Sequence, residues 1–173
     1  MTISNKKLAD VRFDLKKPWH FFATGFGSGL IKPAPGTWGT LLAGVPVYLL
    51  LVQLPALYFW VSIAFVCIIG VWFCHKTEQD IGVHDHSSIV WDEVAGYLVT
   101  MSIITTPHWV WMLVGFCLFR FFDIVKPFPV KQVDRTLGGG LGVMLDDIVA
   151  GLFALVSLYA VQQAYTYYVL EQI

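Results

Sequence analysis

Charge is what this chain has least of. Only 13% of its 173 residues are Asp, Glu, Lys or Arg, while 57% are hydrophobic and the mean hydropathy is +0.67. An ordinary soluble domain is about 25% charged and about 45–50% apolar. Half the usual charge cannot clothe a globule of this size in water, so a membrane class is favoured over a compact soluble helical protein. A net charge of −1 argues against a general nucleic-acid binder. Cysteine is scarce too: Cys67, Cys74 and Cys117 lie inside apolar runs without metal-ligand or secretory spacing, and read as free, buried thiols. The first twenty residues hold no apolar core, so no cleavable signal peptide is expected. Basic residues are missing from the turns near Pro55 and Pro107 and from everything after Ile148.

What is present is a set of apolar segments, at about 41–54, 57–74, 94–105, 109–122 and 148–170. Aromatic residues flank several of them, as in interfacial belts. Several are only 12–15 residues long, short against the ~20 needed to cross a ~30 Å hydrocarbon core, so they recruit flanking residues or enter without crossing. The expected fold is all-α: one small multi-pass helical membrane domain spanning the chain, with four to five hydrophobic helices, some of them re-entrant. Residues 1–17 form a basic tail, and PWHFFA at 18–23 would suit either an anionic membrane surface or the end of a frayed tail. All eleven basic residues fall within 1–32, 75–93 or 120–135. By the positive-inside rule these regions, the N-terminus and every polar motif face the cytoplasm, and the C-terminus faces outward.

The most polar passage is DIGVHDHSSIVWDEVAG, Asp80 to Gly96. Its final DEVAG, at 92–96, is echoed by DIVAG at 147–151, with Asp146 just ahead. Each echo sets an acid four residues before a glycine, on one helix face. Acids opening an apolar helix can cap free N–H groups, but capping needs one acid, and here there are two pairs plus Asp123. If the third and fourth segments form a hairpin turning near Thr106, Asp92 and Arg120 each lie 14 residues from the turn, about 21 Å along a helix. They then share a depth just below one membrane face, with Glu93 and Asp123 nearby. Gly96 and Gly151 permit the close helix approach that would unite the acid pairs. Asp92, Glu93, Asp123, Asp146 and Asp147 are therefore candidate ligands of a divalent metal.

The Gly- and Pro-rich stretch 25–40 argues against a regular helix through most of its length. Its bare N–H groups, with Lys32, Thr37 and Thr40, could hold a phosphate before an apolar helix; otherwise it is a tightly packed interfacial loop. Lys126 and Lys131 offer a second basic grip, or simply a basic cytoplasmic loop. Two X-Pro steps at 126–129 end the fourth segment. Asp134 reads as a surface partner of Arg135, and GGGLG at 138–142 as a flexible lead into the second acid pair. His84 and His86 lack the i, i+4 spacing of a helical zinc pair, and fit a loop that orders the site or an acid/base role.

Taken together, PGTWGT, GVHDHSSIVWDEVAG, FRFFDIVKPFPV and GGLGVMLDDIVAG resemble the phosphatidylglycerophosphatase A family of Gram-negative bacteria, from about residue 18 to 159. The resemblance implies an inner-membrane, Mg²⁺-dependent hydrolase that takes the terminal phosphate from phosphatidylglycerophosphate. Asp92, Glu93, Asp123, Asp146 and Asp147 would then be metal ligands or general base. Lys32, Thr37, Arg120 and Lys126 would clamp phosphate, with His84 or His86 as proton donor. Two rivals are a CDP-alcohol phosphotransferase, whose D-x-x-D-G-x-x-A-R run is absent, and a small ion- or proton-coupled transporter, whose acids would spread through the membrane. The K-x6-R-P and P-S-G-H signatures of histidine-dependent lipid phosphatases are also absent. A reporter fused to the C-terminus is expected to behave as exterior; a cytoplasmic signal would overturn the topology.

Overall fold

The computed structural model describes residues 11–128 and 139–170, all of them helix, turn or loop. Lys6, Lys7, Lys131, Asp134 and Arg135 lie outside the described residues. The elements are α1 (Pro18–Ala23), a 3₁₀ turn (Ser28–Leu30), α2 (Pro35–Leu51), α3 (Ala56–Ile81), α4 (Trp91–Met101), α5 (Trp109–Val125) and α6 (Gly139–Leu170). α3 and α6 are long and apolar enough to cross a membrane: 26 and 32 residues correspond to about 39 and 48 Å.

Helix α4 is the central element. Apolar or small residues occupy nearly every side of its eleven positions, nine of which are buried. A helix that is apolar all round has no face to give to solvent, and α4 packs against α2, α3, α5 and α6. α3 is two-sided instead. Phe59, Ile63, Val66, Gly70 and Cys74 line its inner stripe, while Leu57, Val61, Phe65, Ile68 and Trp72 expose an apolar stripe at three- and four-residue spacing. That outer stripe suits hydrocarbon. In α6 the inner stripe is Val143, Met144, Asp147, Ala150, Ala154 and Leu158, which aims the Asp147 carboxylate inward.

Four sequence expectations are corrected. The stretch PGTWG is helical, with Pro35 at the first helical position, where its missing N–H costs nothing. Its glycines serve packing: a Cβ on Gly39 would meet the Val90 Cβ at 2.5 Å. A π turn at Thr40–Gly44 keeps α2 continuous through Pro46 to Leu51. Of the GGGLG run, Gly138 lies outside the described residues, Gly139 opens α6 with a left-handed φ of 69° and Gly140 is helical; this is no flexible lead, because a Cβ on Gly140 would meet the Val71 carbonyl at 2.3 Å. Asp146 and Asp147 consequently lie more than a turn inside α6 and do not cap it. Cys117 is exposed on α5, while Cys67 and Cys74 are half-buried and buried; all three are free.

The aromatic segment after the tail is packed against protein. Phe22 stacks on Phe73 with ring centroids 4.9 Å apart, the Thr77 hydroxyl donates to the Trp19 carbonyl, and Lys17 pairs with Asp80 at 2.9 Å. Trp91 Nε1 donates to the Val66 carbonyl at 3.2 Å, and the Val90 N–H to the Ala23 carbonyl at 2.8 Å. Together these bonds fix where α4 begins.

Backbone also meets backbone at the α4–α6 crossing. A Cβ on Gly151 would lie 2.5 Å from the Gly96 carbonyl oxygen, and one on Gly96 2.6 Å from the Asp147 carbonyl oxygen. The Thr100 hydroxyl spans the joint, 2.9 Å from the Gly96 carbonyl and 3.3 Å from that of Gly151. Replacing Gly151 with Ala is expected to destabilise the fold by about 1–3 kcal/mol through overpacking, measured as a lowered Tm in detergent; an unchanged Tm would show that the crossing relaxes freely.

Candidate active site

Two helices supply the floor of the site. Asp92 and Glu93 stand in the first turn of α4, and Asp147 lies on the inner stripe of α6. One carboxylate oxygen from each lies within 4.8 Å of the others. Asp92 and Asp147 are buried and Glu93 is half-buried. Glu93 Oε2 and Asp147 Oδ2 have no hydrogen-bond partner among the described residues. Three carboxylates at this separation repel strongly where the dielectric is low, so nearby cations stabilise the group.

Two basic side chains are already there. The Arg120 guanidinium, from α5, lies 2.5 Å from Asp123 Oδ2 and 3.6 Å from Glu93 Oε1. Lys126, the left-handed C-cap of α5, reaches back to Asp146. The five acids thus divide into two groups. Asp123 and Asp146 each hold a cation in place, whereas Asp92, Glu93 and Asp147 converge with open oxygen positions. Oxygen-only donors of this kind suit a hard divalent cation, and the two orphaned buried oxygens fit one.

The opposite side of the site is the N-terminal turn of α2. Ala34, Pro35 and Gly36 border a cavity of about 260 Å³ shared with the five acids, Arg120 and Lys126. A Cβ on Gly36 would lie 2.1 Å from Glu93 Oε1 and 3.0 Å from an Arg120 nitrogen. Only a bare backbone can stand so close to that ion pair. Three residues bordering this cavity, Ala34, Asp85 and Lys126, have positive φ without being glycine. Such strained positions gather where surrounding structure over-determines them.

Other residues singled out in the sequence are not brought to the cavity. Lys32 is exposed and Thr37 half-buried, and neither borders it. The Thr40 hydroxyl donates to the Gly36 carbonyl within its own helix. His84 turns away to Glu78, with Nδ1 2.6 Å from Oε1. His86 accepts from the Ser88 N–H and packs edge-on against Phe13. Burial, helped by the positive charge of Lys32, holds the His86 imidazole below its ordinary range. Asp80, which opens the polar passage, binds Lys17 and Trp19 of the N-terminal segment.

Two neighbours of the histidines were missed: Asp85, between them, and Ser87, just after His86, border the cavity. The run is a turn, with Asp85 in the left-handed region at φ 47°, so no regular alternation in the sequence points to the acid. Nothing local reveals that Glu78, a turn before the end of α3, is the anchor of that loop.

An all-α protein with helices able to insert into a membrane, and a buried carboxylate cluster rimmed by Arg and Lys, is equipped to bind a metal and a phosphate ester at one place. The sequence profile described as Phosphatidylglycerophosphatase A matches residues 21–162, and the chain belongs to that family. It is 45% identical over 151 residues to the phosphatidylglycerophosphatase A of Haemophilus influenzae, covering 87% of this chain and 93% of the relative. It is 46% identical over 156 residues to the Escherichia coli phosphatidylglycerophosphatase A, covering 90% of each. No solved structure matches it.

Gly36→Ala should displace the Glu93–Arg120 pair by an ångström or more. Activity is expected to fall by about 100-fold while the protein still folds, measured as kcat/KM beside a circular-dichroism melt. Unimpaired kcat/KM would show that the pair has room to yield.

Proposed function

We propose that this chain is a Mg²⁺-dependent phosphatase that removes the terminal phosphate of phosphatidylglycerophosphate, leaving phosphatidylglycerol and inorganic phosphate. The observation that carries the reading is the convergence of Asp92, Glu93 and Asp147 within 4.8 Å, in one cavity with Arg120 and Lys126, in a chain of this family. Asp92, Glu93 and Asp147 would hold the metal. Bound Mg²⁺ would neutralise charge on the phosphoryl oxygens and acidify its water.

The chain's own residues do the rest. Arg120 and Lys126 bind the non-bridging phosphoryl oxygens, and ion pairs with Asp123 and Asp146 hold both cations in register. Hydrolysis adds water across the terminal ester: a new P–O bond forms to the water oxygen, and the P–O bond to the headgroup glycerol breaks. A floor carboxylate takes the water proton, the glycerol oxygen leaves with a proton drawn from solvent, and the carboxylate returns its proton to solvent. Little covalent chemistry is asked of the protein; positioning and electrostatics carry most of the rate. The backbone of Gly36 closes the site from the α2 side.

The site faces the cytoplasm of the bacterial inner membrane in this reading. Arg12, Lys16, Lys17, Lys32 and Lys76 accompany Arg120 and Lys126 in the segments that carry the site, and the turns at Pro55 and Pro107 carry no basic residue, as the positive-inside rule requires. α3 and α6 cross, while the 11-residue α4, about 17 Å long, enters without crossing. α2 and α5 complete one membrane domain. A slightly sunken site lets the acyl chains stay in lipid as the headgroup reaches the acids. Acids gathered at one end fit hydrolysis of a headgroup better than an ion path through the bilayer.

Purified protein given phosphatidylglycerophosphate should release phosphate with Mg²⁺ and stop when EDTA is added. Asp92→Ala and Asp147→Ala should each lower kcat/KM by about 100-fold or more, whereas Lys32→Ala should change it little. Full Mg²⁺-dependent activity in either acid variant would sink the metal assignment.

A further inference from the structure

Resting on that reading, we propose that Asp85, with Ser87 beside it, recognises the free hydroxyl of the headgroup glycerol, and that Glu78 is the positioning residue that holds Asp85 there. The headgroup of phosphatidylglycerophosphate carries its free hydroxyl on the carbon next to the one bearing the terminal phosphate. When the phosphorus reaches the floor acids and the Arg120–Lys126 pair, that hydroxyl stands one bond nearer the lipid, at the level of the cavity rim.

Asp85 and Ser87 are on that rim. Both border the cavity, and both are exposed while Asp92 and Asp147 below them are buried. The Asp85 backbone N–H donates to Glu78 Oε1 at 2.7 Å, and the same oxygen lies 2.6 Å from His84 Nδ1. Glu78 is buried, its side chain only 7% exposed, although its partner His84 is 57% exposed. A buried carboxylate is costly unless its bonds do something, and here both bonds fix one loop. They hold Asp85 at φ 47°, a left-handed conformation that Asp tolerates better than most residues. Glu78 thereby turns the residues flanking the histidines towards the cavity.

The chemistry of Asp85 selects its partner. Among the described residues, the hydrogen bond made by Asp85 runs through its backbone N–H, and no hydrogen bond or ion pair occupies its carboxylate. A carboxylate beside a phosphate dianion repels it, so Asp85 is unsuited to clamp the phosphoryl group. It accepts strongly from a hydroxyl, and the Ser87 hydroxyl can both donate and accept beside it. A site built to bond a hydroxyl also rejects the analogue that lacks one.

The test uses the full-length protein, with phosphatidylglycerophosphate and its analogue bearing hydrogen in place of the glycerol hydroxyl. The readout is the ratio of kcat/KM values. The wild type is expected to favour the hydroxyl substrate by about 10- to 100-fold, the range of a hydrogen bond to a charged group. Asp85→Gly keeps the left-handed backbone and should bring the ratio close to one; Asp85→Asn, which can still accept, should retain more of it. Glu78→Ala should lower the ratio in the same direction, and adding it to Asp85→Gly should lower it no further. If Glu78→Ala does not fold, the Asp85 variants decide. A wild-type ratio of one, or an equal fall on both substrates in Asp85→Gly, would overturn the proposal. A raised Mg²⁺ requirement on both substrates would assign Asp85 to the metal instead. A wild type that releases phosphate from neither substrate would overturn the phosphatase reading itself.

Discussion

Two helices can approach only as closely as their smallest residues allow, and at the α4–α6 crossing those residues are Gly96 and Gly151. Backbone meets backbone there, with no room for a methyl group on either side. Each glycine lies four residues, about one turn, after an acid, so the same contact sets the separation of Asp92 and Asp147. Lengthening the contact by one side chain would part the carboxylates. The acid cluster is therefore a consequence of the crossing, and the DEVAG–DIVAG echo is the sequence form of that geometry.

The second constraint is electrostatic. Six carboxylates around one cavity, five of them below the rim residue Asp85, would force each other apart in an apolar, lightly charged protein. The fold answers with two cations from the end of α5, Arg120 shared between Asp123 and Glu93 and Lys126 paired with Asp146. Arg120 reaches Asp123 one turn along its own helix, and Lys126, turned back by a left-handed cap, reaches Asp146 across to α6. What remains is a group of three converging acids with open oxygen positions. The division gives Asp123 and Asp146 a role distinct from that of Asp92, Glu93 and Asp147, although the five residues look alike in the sequence.

The glycine-rich stretches show where one-dimensional reading fails. PGTWG and GGLG have the composition of loops, yet both are helical, because contacts elsewhere offset glycine's entropic cost. Gly39 admits Val90, Gly36 admits the Glu93–Arg120 pair, and Gly140 admits the backbone of α3. Glycine at a helix crossing and glycine in a turn are identical in sequence. Their difference lies in what presses against them.

The sequence alone determined the helical membrane character, because so little charge and so much apolar length leave few other solutions. It also determined that Asp92, Glu93, Arg120 and Asp123 share one end of a hairpin, since helical rise turns residue counts directly into depth. Both inferences rest on local periodicity and composition. Only the tertiary structure decided which acids face one another and which face a cation, and that Asp85, not its flanking histidines, borders the cavity. It also decided that Lys32 and Thr37 stand aside from it. Those outcomes depend on helix rotation and loop anchoring, set by contacts such as Glu78 to Asp85 and Trp91 to Val66, which join residues that no spacing rule connects.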